Sequence, residues 1–179
     1  MRIPLKLETD RLIIQRYTED DLEGLHRFFN NRDITGMTDM PAEMSLDETE
    51  AFLQMLIDSY DTEEPIAALA ICKKENEEVI GSCGFAAVEF SDETQIYYAL
   101  EPGSRNRGYA TEAMEKLIEY MILVLDIEKI SVYCHPQNIA SINLAKKIGM
   151  QSHGTVHHEK RDAEYFLLTR EEYLSGNNL

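Results

Sequence analysis

The chain lacks several features that would place it quickly in a class of protein. It has only three cysteines in 179 residues. Their wide spacing fits neither a disulfide framework nor a zinc site. No apolar run approaches the roughly 18 residues that a membrane span needs. Residues 1–6 contain no apolar signal-peptide segment. We therefore expect reduced cysteines, no metal, no membrane partner and a cytoplasmic location.

Positive charge is also scarce. The chain has 17 lysines and arginines against 33 aspartates and glutamates, which gives a formal net charge of −16. Nonspecific binding to nucleic acid needs a cationic surface, so we expect no nucleic-acid partner. An acidic surface suits solubility, and it also attracts a cationic substrate such as an amine. Charge alone leaves these two interpretations equally open.

The chain has no internal repeats, low-complexity tracts or obvious linkers, and its length suits one domain over residues 1–179. Strands are predicted around residues 12–14, 66–72, 79–90, 95–100, 129–134, 152–158 and 163–169. Helices are predicted to start near Thr18 and Ser45 and to cover 108–125 and 138–148. This order predicts an α/β fold with a mixed sheet and helices on both faces.

Local residue chemistry marks several helix ends. Ser45 and Glu48 have the spacing of a capping box. Asn138 is a plausible N-cap, and Gly149 is a plausible residue just after the same helix. The helix that follows Ser45 is expected to turn Phe52, Met55 and Leu56 toward the core, with Ile57 as a further candidate.

The segment from Ser104 to Ala113 is the most informative one. It joins a strand-like run to a helix start, so several backbone N–H groups and the helix dipole converge on one point. Gly108 and Ala110 allow phosphate oxygens to approach the backbone closely. The segment predicts a phosphate or pyrophosphate site, although an ordinary strand-to-helix turn would have a similar sequence. The chain has no Gly-x-x-x-x-Gly-Lys-Ser/Thr motif, which disfavours a nucleotide-binding P-loop.

The order Arg-x-x-Gly-x-Ala at 105–110 resembles the acyl-CoA pyrophosphate loop of the GCN5-related N-acetyltransferases (GNAT). Gly-Tyr-Ala-Thr-Glu-Ala at 108–113 looks like the branch that includes the ribosomal-protein N-terminal acetyltransferases. Three more segments resemble motifs of that branch in the expected order: Leu7–Leu12, Val79–Phe85 and His135–Met150.

The resemblance implies a mostly antiparallel sheet with flanking helices and two splayed parallel strands, Gln95–Leu100 and Ile130–Cys134. In such a fold the pantetheine arm of acetyl-CoA, the expected cosubstrate, lies in the gap between the two strands. An N–H near Ala99 or Leu100 would then stabilise the oxyanion. The implied cofactor-binding residues are Ala99, Leu100, Arg105, Asn106, Arg107, Gly108, Tyr109, Ala110, Thr111, Asn138 and Ser141.

The catalytic candidates are Ser141 and Tyr98, which match family positions, and His135 at the end of a central strand, for which a structural role is the alternative. Many related enzymes protonate the departing thiolate with a tyrosine, but that position is Ala145 here, so Ser141 or a water would act instead. The general base stays open because Gln95 stands where related strands often have glutamate. The candidates are His135, Glu89 and a water held by Tyr97 or Tyr98.

The resemblance implies an acetyl-CoA-dependent N-acetyltransferase that acts on a primary amine by direct attack in a ternary complex. The amine acceptor is expected to be a protein N-terminus or a small molecule. The alternative is a noncatalytic acyl-CoA-binding or sensor domain. Residues 30–44 are expected to line the acceptor side, with Asp33, Asp39 and Glu43 either attracting a cation or simply solvated. Both a monomer and a homodimer are compatible with the sequence.

Overall fold

The computed structural model describes residues 2–36, 43–158 and 161–176. Eight strands are hydrogen-bonded in the order β1-β2-β3-β4-β5-β6-β8-β7. The strands are β1 (Lys6–Glu8), β2 (Leu12–Arg16), β3 (Ala67–Lys73), β4 (Val79–Ala87), β5 (Thr94–Leu100), β6 (Lys129–Cys134), β7 (Gln151–His158) and β8 (Arg161–Thr169).

Within the described ranges, six α-helices accompany the strands. They are α1 (Leu22–Phe29), α2 (Arg32–Thr35), α3 (Leu46–Ser59), α4 (Tyr109–Leu123), α5 (Ile139–Lys147) and α6 (Arg170–Gly176). None of the helices in the described ranges is long and apolar enough to cross a membrane. The described chain is therefore a mixed α/β structure, as the alternating pattern predicts.

The sheet confirms the predicted fold class, because it is mostly antiparallel and contains one parallel pair. That pair is β5 with β6, and its register joins Thr94 to Ile130 and Gln95 to Ser131. The registered residues lie at the beginnings of both strands. Along its whole length, β6 also pairs in antiparallel register with β8, as far as Cys134 opposite Glu164.

Contacts divide the chain into two compact units, and the predicted single domain remains a prediction. The first unit contains residues 1–84 and 98–116. In this unit β2 pairs with β3 through Ile14 opposite Ile71, and both side chains are fully buried. Phe28 of α1 and Leu56 of α3 are also buried, which gives this unit its own apolar core.

The second unit contains residues 85–97 and 117–179. Its core is built from Ile130 on β6, Phe166 on β8 and the buried face of α4, which includes Met121. β7 and β8 form an antiparallel hairpin whose register shifts between Ser152 and Thr155, next to Gly154 at φ +84°. That shift locally changes which side chains lie beside β8.

Three details differ from the sequence prediction. Met55 was predicted to face inward but is 46% exposed, whereas Leu53 is buried at 3%. That prediction was wrong because spacing alone does not fix the rotation of α3 about its axis. β1 escaped prediction because it has only three residues. The terminal helix α6 also escaped prediction, because it directly follows the last predicted strand and has no apolar pattern of its own.

Candidate functional site: an open helix N-terminus

The loop segment from Arg105 to Thr111 leads into α4, whose N-cap residue is a glycine. The Gly108 carbonyl accepts the first intrahelical hydrogen bond, from the N–H of Glu112 at 3.1 Å, which makes Gly108 the N-cap residue. Glycine has no side chain that can bond to the N–H groups of the first turn. Those N–H groups therefore face the surroundings with the positive end of the helix dipole.

Two left-handed residues shape this loop. Asn106 has φ +59° and Gly108 has φ +82°. Asparagine tolerates this conformation better than most residues do, and glycine adopts it freely. A Cβ atom at Gly108 would lie 3.3 Å from a terminal nitrogen of Arg11, so added bulk meets both backbone strain and a neighbour. Residues 105–108 are exposed, so an anion can reach the loop.

Glu112 joins this helix start to the turn between β1 and β2. Its carboxylate accepts hydrogen bonds from the Arg11 backbone N–H at 2.9 Å and from Arg11 Nε at 2.7 Å. The Thr9 hydroxyl donates to the same carboxylate. Arg11 also donates to the Arg107 carbonyl at 3.1 Å, and its guanidinium lies 4.6 Å from the Tyr109 ring centroid. We call these contacts among Thr9, Arg11 and Glu112 the latch.

The latch holds Glu112 in its charged form. Burial alone would raise the pKa of this carboxyl group, but the hydrogen bonds from Thr9 and Arg11 outweigh burial and lower the pKa. Charge-assisted hydrogen bonds of this kind fix geometry as well as adding stability. The sequence analysis found the Glu-Thr-Asp-Arg segment by resemblance, but it did not reveal this contact.

The two loop arginines have different surroundings. The Arg105 guanidinium donates to the Leu100 carbonyl at 3.0 Å and to the Asp33 carbonyl at 3.0 Å. This side chain therefore braces the end of β5, and its predicted role toward a phosphate stays a prediction. Arg107 is exposed, and its own carbonyl is held by Arg11.

The end of β5 lies close to β4. A Cβ atom at Gly81 would lie 2.4 Å from the Ala99 carbonyl oxygen, so only glycine fits there. Gly81 lies in the segment Val79–Phe85, which the sequence analysis identified by resemblance. Glu101 N–H bonds to the Ile80 carbonyl at 2.9 Å. Neighbouring N–H groups of an extended strand point to opposite edges, so the Leu100 N–H points away from β4. The Tyr98 hydroxyl oxygen is buried.

The second predicted motif starts at the end of β6. The Asn138 side chain accepts a hydrogen bond from the Ser141 N–H at 3.1 Å, which confirms Asn138 as the N-cap of α5. Gly149, at φ +86°, lies just beyond the end of α5, as predicted. His135 Nδ1 accepts from the Gln137 N–H at 3.2 Å, which places the proton of a neutral ring on Nε2. The catalytic roles of Ser141, Tyr98 and His135 stay predictions.

The residues expected on the acceptor side are only partly described. Asp39 lies outside the described residues. Glu43 forms an ion pair with Arg32 at 2.6 Å, and the Asp33 backbone carbonyl accepts a hydrogen bond from the Arg105 guanidinium. Glu43 therefore has a partner within its own segment, which favours the interpretation of an ordinary surface charge for that residue.

Comparison with known proteins identifies the family. The acetyltransferase (GNAT) domain matches residues 11–151. This match spans most of the chain and includes both the loop at 105–111 and the segment from His135 to Gly149. The chain belongs to the GNAT acetyltransferases, which confirms the resemblance and the prediction of an N-acetyltransferase.

Individual relatives agree with this assignment. The chain is 28% identical to the uncharacterized N-acetyltransferase p20 of Bacillus licheniformis, over 93% of this chain and 97% of the relative. A putative ribosomal-protein-serine acetyltransferase from Vibrio cholerae has the same fold, with a TM-score of 0.78, 19% identity, and coverage of 94% of this chain and 99% of that one. So does the Vibrio cholerae spermidine N-acetyltransferase solved with CoA and spermine (TM-score 0.77, 17% identity, coverage of 93% and 99%).

Proposed function

We propose that this protein binds acetyl-CoA and transfers its acetyl group to a primary amine. The observation that carries the proposal is the N-terminus of α4, where the N-cap residue Gly108 has no side chain to bond to the first-turn backbone N–H groups, so these are candidates to bind an anion. A pyrophosphate is the anion that acetyl-CoA brings. The residues of the loop fit it because the N-cap has no side chain and the loop is exposed.

The loop residues from Asn106 to Thr111 would hold the pyrophosphate through backbone N–H groups. The Leu100 N–H points away from β4, so we infer that it, rather than the Ala99 N–H, donates to the acyl carbonyl. The thioester that acetyl-CoA supplies is already activated for acyl transfer. The resemblance adds Asn138 and Ser141 as contacts toward the pantetheine and thiol end.

Direct transfer to the amine is favoured over an acyl-enzyme route. An acyl-enzyme needs an accessible thiolate. Cys134 is 3% exposed. Burial, followed by the charge of Glu164, raises the pKa of its thiol to about 11. Burial likewise raises the pKa of Cys72 to about 12. Neither thiol is therefore ionised near neutral pH.

The acceptor is a primary amine in this proposal, and two kinds of acceptor are supported by relatives. One solved neighbour is named a putative ribosomal-protein-serine acetyltransferase and another a spermidine N-acetyltransferase. A protein N-terminal amine and a small aliphatic amine are therefore the two classes to screen first. The net charge of −16 suits a cationic acceptor of either class.

A thermal-shift titration with acetyl-CoA, free CoA and ATP tests the proposal. A ligand that binds only the folded state stabilises it by about 2.7 kcal/mol at 100 times its Kd. We expect the melting temperature to rise with both CoA species and not with ATP. In a separate assay, incubation with acetyl-CoA and an amine should release the free thiol of CoA. If neither acetyl-CoA nor free CoA shifts the melting temperature, the proposal is overturned.

A further inference from the structure

A half-buried carboxylate in the second unit carries no ion pair with any described residue. This is Glu93, which directly precedes β5. The Tyr165 hydroxyl donates to its Oε1 at 2.7 Å, and the Tyr133 hydroxyl donates to its Oε2 at 3.4 Å. Lys129, whose charge also interacts with Glu93, is held by Asp92 at 2.9 Å. Glu93 therefore has neutral donors but no cation of its own within the described chain.

The two tyrosines are fixed by a column of stacked rings. Tyr133 on β6 lies directly opposite Tyr165 on β8, and their ring centroids are 5.1 Å apart with an interplanar angle of 16°. His158 stacks on Tyr133 at 3.7 Å and 5°. His153 lies against Tyr165 at 5.4 Å. Stacking of this kind holds the hydroxyl groups in place and so fixes the direction of the carboxylate.

Both phenols stay neutral donors. Burial, together with the charge and hydrogen bonds of Glu93, raises the pKa of Tyr165. Burial and the charge of Glu93 raise the pKa of Tyr133 as well. An ionised carboxylate has about four lone-pair positions, and the two tyrosines occupy two of them. Each oxygen of Glu93 can therefore accept a further hydrogen bond.

A partly buried charge is costly unless a partner of opposite sign compensates it. A metal ion is a poor candidate for that partner, because no group of three or more His, Cys, Asp or Glu side chains in the described ranges is placed to hold one. An alkylammonium group fits better. It brings a positive charge and N–H donors, and it has a flexible carbon stem that needs no further anionic ligand.

We propose that Glu93, held by Tyr133 and Tyr165, is a binding site for a protonated amine group of the acceptor. This inference rests on the proposed function only for the statement that the ligand is the acceptor. The binding chemistry itself comes from the carboxylate, its two hydroxyl donors and the stacked rings. The site selects acceptors that carry an alkylammonium group over uncharged acceptors of the same size.

Titration with n-butylammonium chloride, followed by near-ultraviolet difference absorbance, tests the site. The chain has no tryptophan, so the signal comes from its tyrosines. At about pH 8 aliphatic amines are protonated and unperturbed histidines are neutral. Sodium chloride at equal ionic strength and n-butanol serve as ligand controls. We expect saturable binding of butylammonium alone.

Substitutions distinguish this site from general charge effects. Glu93→Gln should weaken butylammonium binding at least tenfold. Tyr165→Phe keeps the ring but removes a donor, and should weaken binding about threefold. Glu164→Gln makes the same charge change at the residue next to Tyr165. Because adjacent strand residues point to opposite faces, Glu164 lies on the other face of β8, and this variant should bind butylammonium as the wild type does. No saturable binding to the wild type, or unchanged binding in both Glu93→Gln and Tyr165→Phe, would overturn the site.

The same variants separate this site from the proposed function. Glu93→Gln should keep the full thermal shift with acetyl-CoA, because Glu93 does not belong to the loop at 105–111. A wild-type protein that binds butylammonium but shows no shift with acetyl-CoA would keep the amine site and lose the proposed function. Unchanged amine binding in both Glu93→Gln and Tyr165→Phe, with a normal acetyl-CoA shift, would remove the amine site and keep the proposed function.

Discussion

The helices α4 and α5 begin in contrasting ways, although each follows one strand of the parallel pair. α5 starts at Asn138, whose own side chain accepts the Ser141 N–H. α4 starts at Gly108, which has no side chain to offer. The N-cap side chain of α5 supplies an acceptor to that helix, whereas the N-cap residue of α4 has no side chain and supplies none.

This difference shows where a phosphate can bind with the largest gain. An anion at α5 competes with a cap that is already present. An anion at α4 meets no competing side chain from the N-cap residue and can accept hydrogen bonds from backbone N–H groups of the first turn. The latch braces the loop at which we propose that the anion binds, because Arg11 contacts both Glu112 and the Arg107 carbonyl. The start of α4 is therefore the helix start that the latch braces.

Closing the open helix start should have the largest effect. Gly108→Val places a β-branched side chain at φ +82° and blocks the approach of phosphate, so acetyl-CoA affinity should fall at least about 100-fold by calorimetry. Gly154→Val is the matched control. Gly154 has φ +84° and open space around its Cβ position, so it should carry similar strain and leave acetyl-CoA affinity unchanged. Equal affinity in a folded Gly108→Val protein would refute the assignment of the loop.

Loosening the latch should have an intermediate effect. Glu112→Gln removes the charge that holds Arg11, and Arg11→Lys removes the planar fork of donors. Each should raise the Kd for acetyl-CoA about tenfold, the equivalent of one charge-assisted hydrogen bond. The turnover number at saturating acetyl-CoA should stay within about twofold, because the latch positions the loop and touches no reacting atom.

A second exposed ion pair in the first unit gives the control for the latch. Glu78→Gln breaks the pair with Lys73 at 2.7 Å and should leave the Kd for acetyl-CoA unchanged. The double variant Arg11→Lys/Glu112→Gln should be little worse than either single variant, because both changes remove the same contact. Fully additive losses, or a fall in turnover without a change in Kd, would contradict a positioning role.

Removing the cap of α5 should have the smallest effect. Asn138→Ala should lower the free energy of unfolding by about 1 kcal/mol, because the Ser141 N–H loses its acceptor. This corresponds to a melting temperature about 2–4 °C lower for a chain of this size. Asn138→Ser restores a good N-cap and should recover most of the loss in thermal denaturation. An Asn138→Ala protein as stable as the wild type would show that the cap contributes nothing.

Features that depend on neighbours in the sequence were predictable, and features that depend on distant residues were not. Gly108, Asn138 and Gly149 could be placed from the sequence because caps and turns follow local residue chemistry. Glu93 could not, because its donors Tyr133 and Tyr165 come from two later strands whose register is not written in local patterns. Glu112 looked like an ordinary acidic residue in a first helical turn.

The latch also bears on how the binding loop acquires its shape during folding. Arg11 and Glu112 are 101 positions apart, so their contact closes a long loop of chain. Such closure costs conformational entropy before any contact repays it, and nearby hairpins such as β3–β4 have far shorter loops to close. The conformation of residues 105–111 thus belongs to the assembled chain, and an isolated peptide of that sequence would lack it. Acetyl-CoA binding would then report that two segments 101 positions apart in the sequence have come into contact.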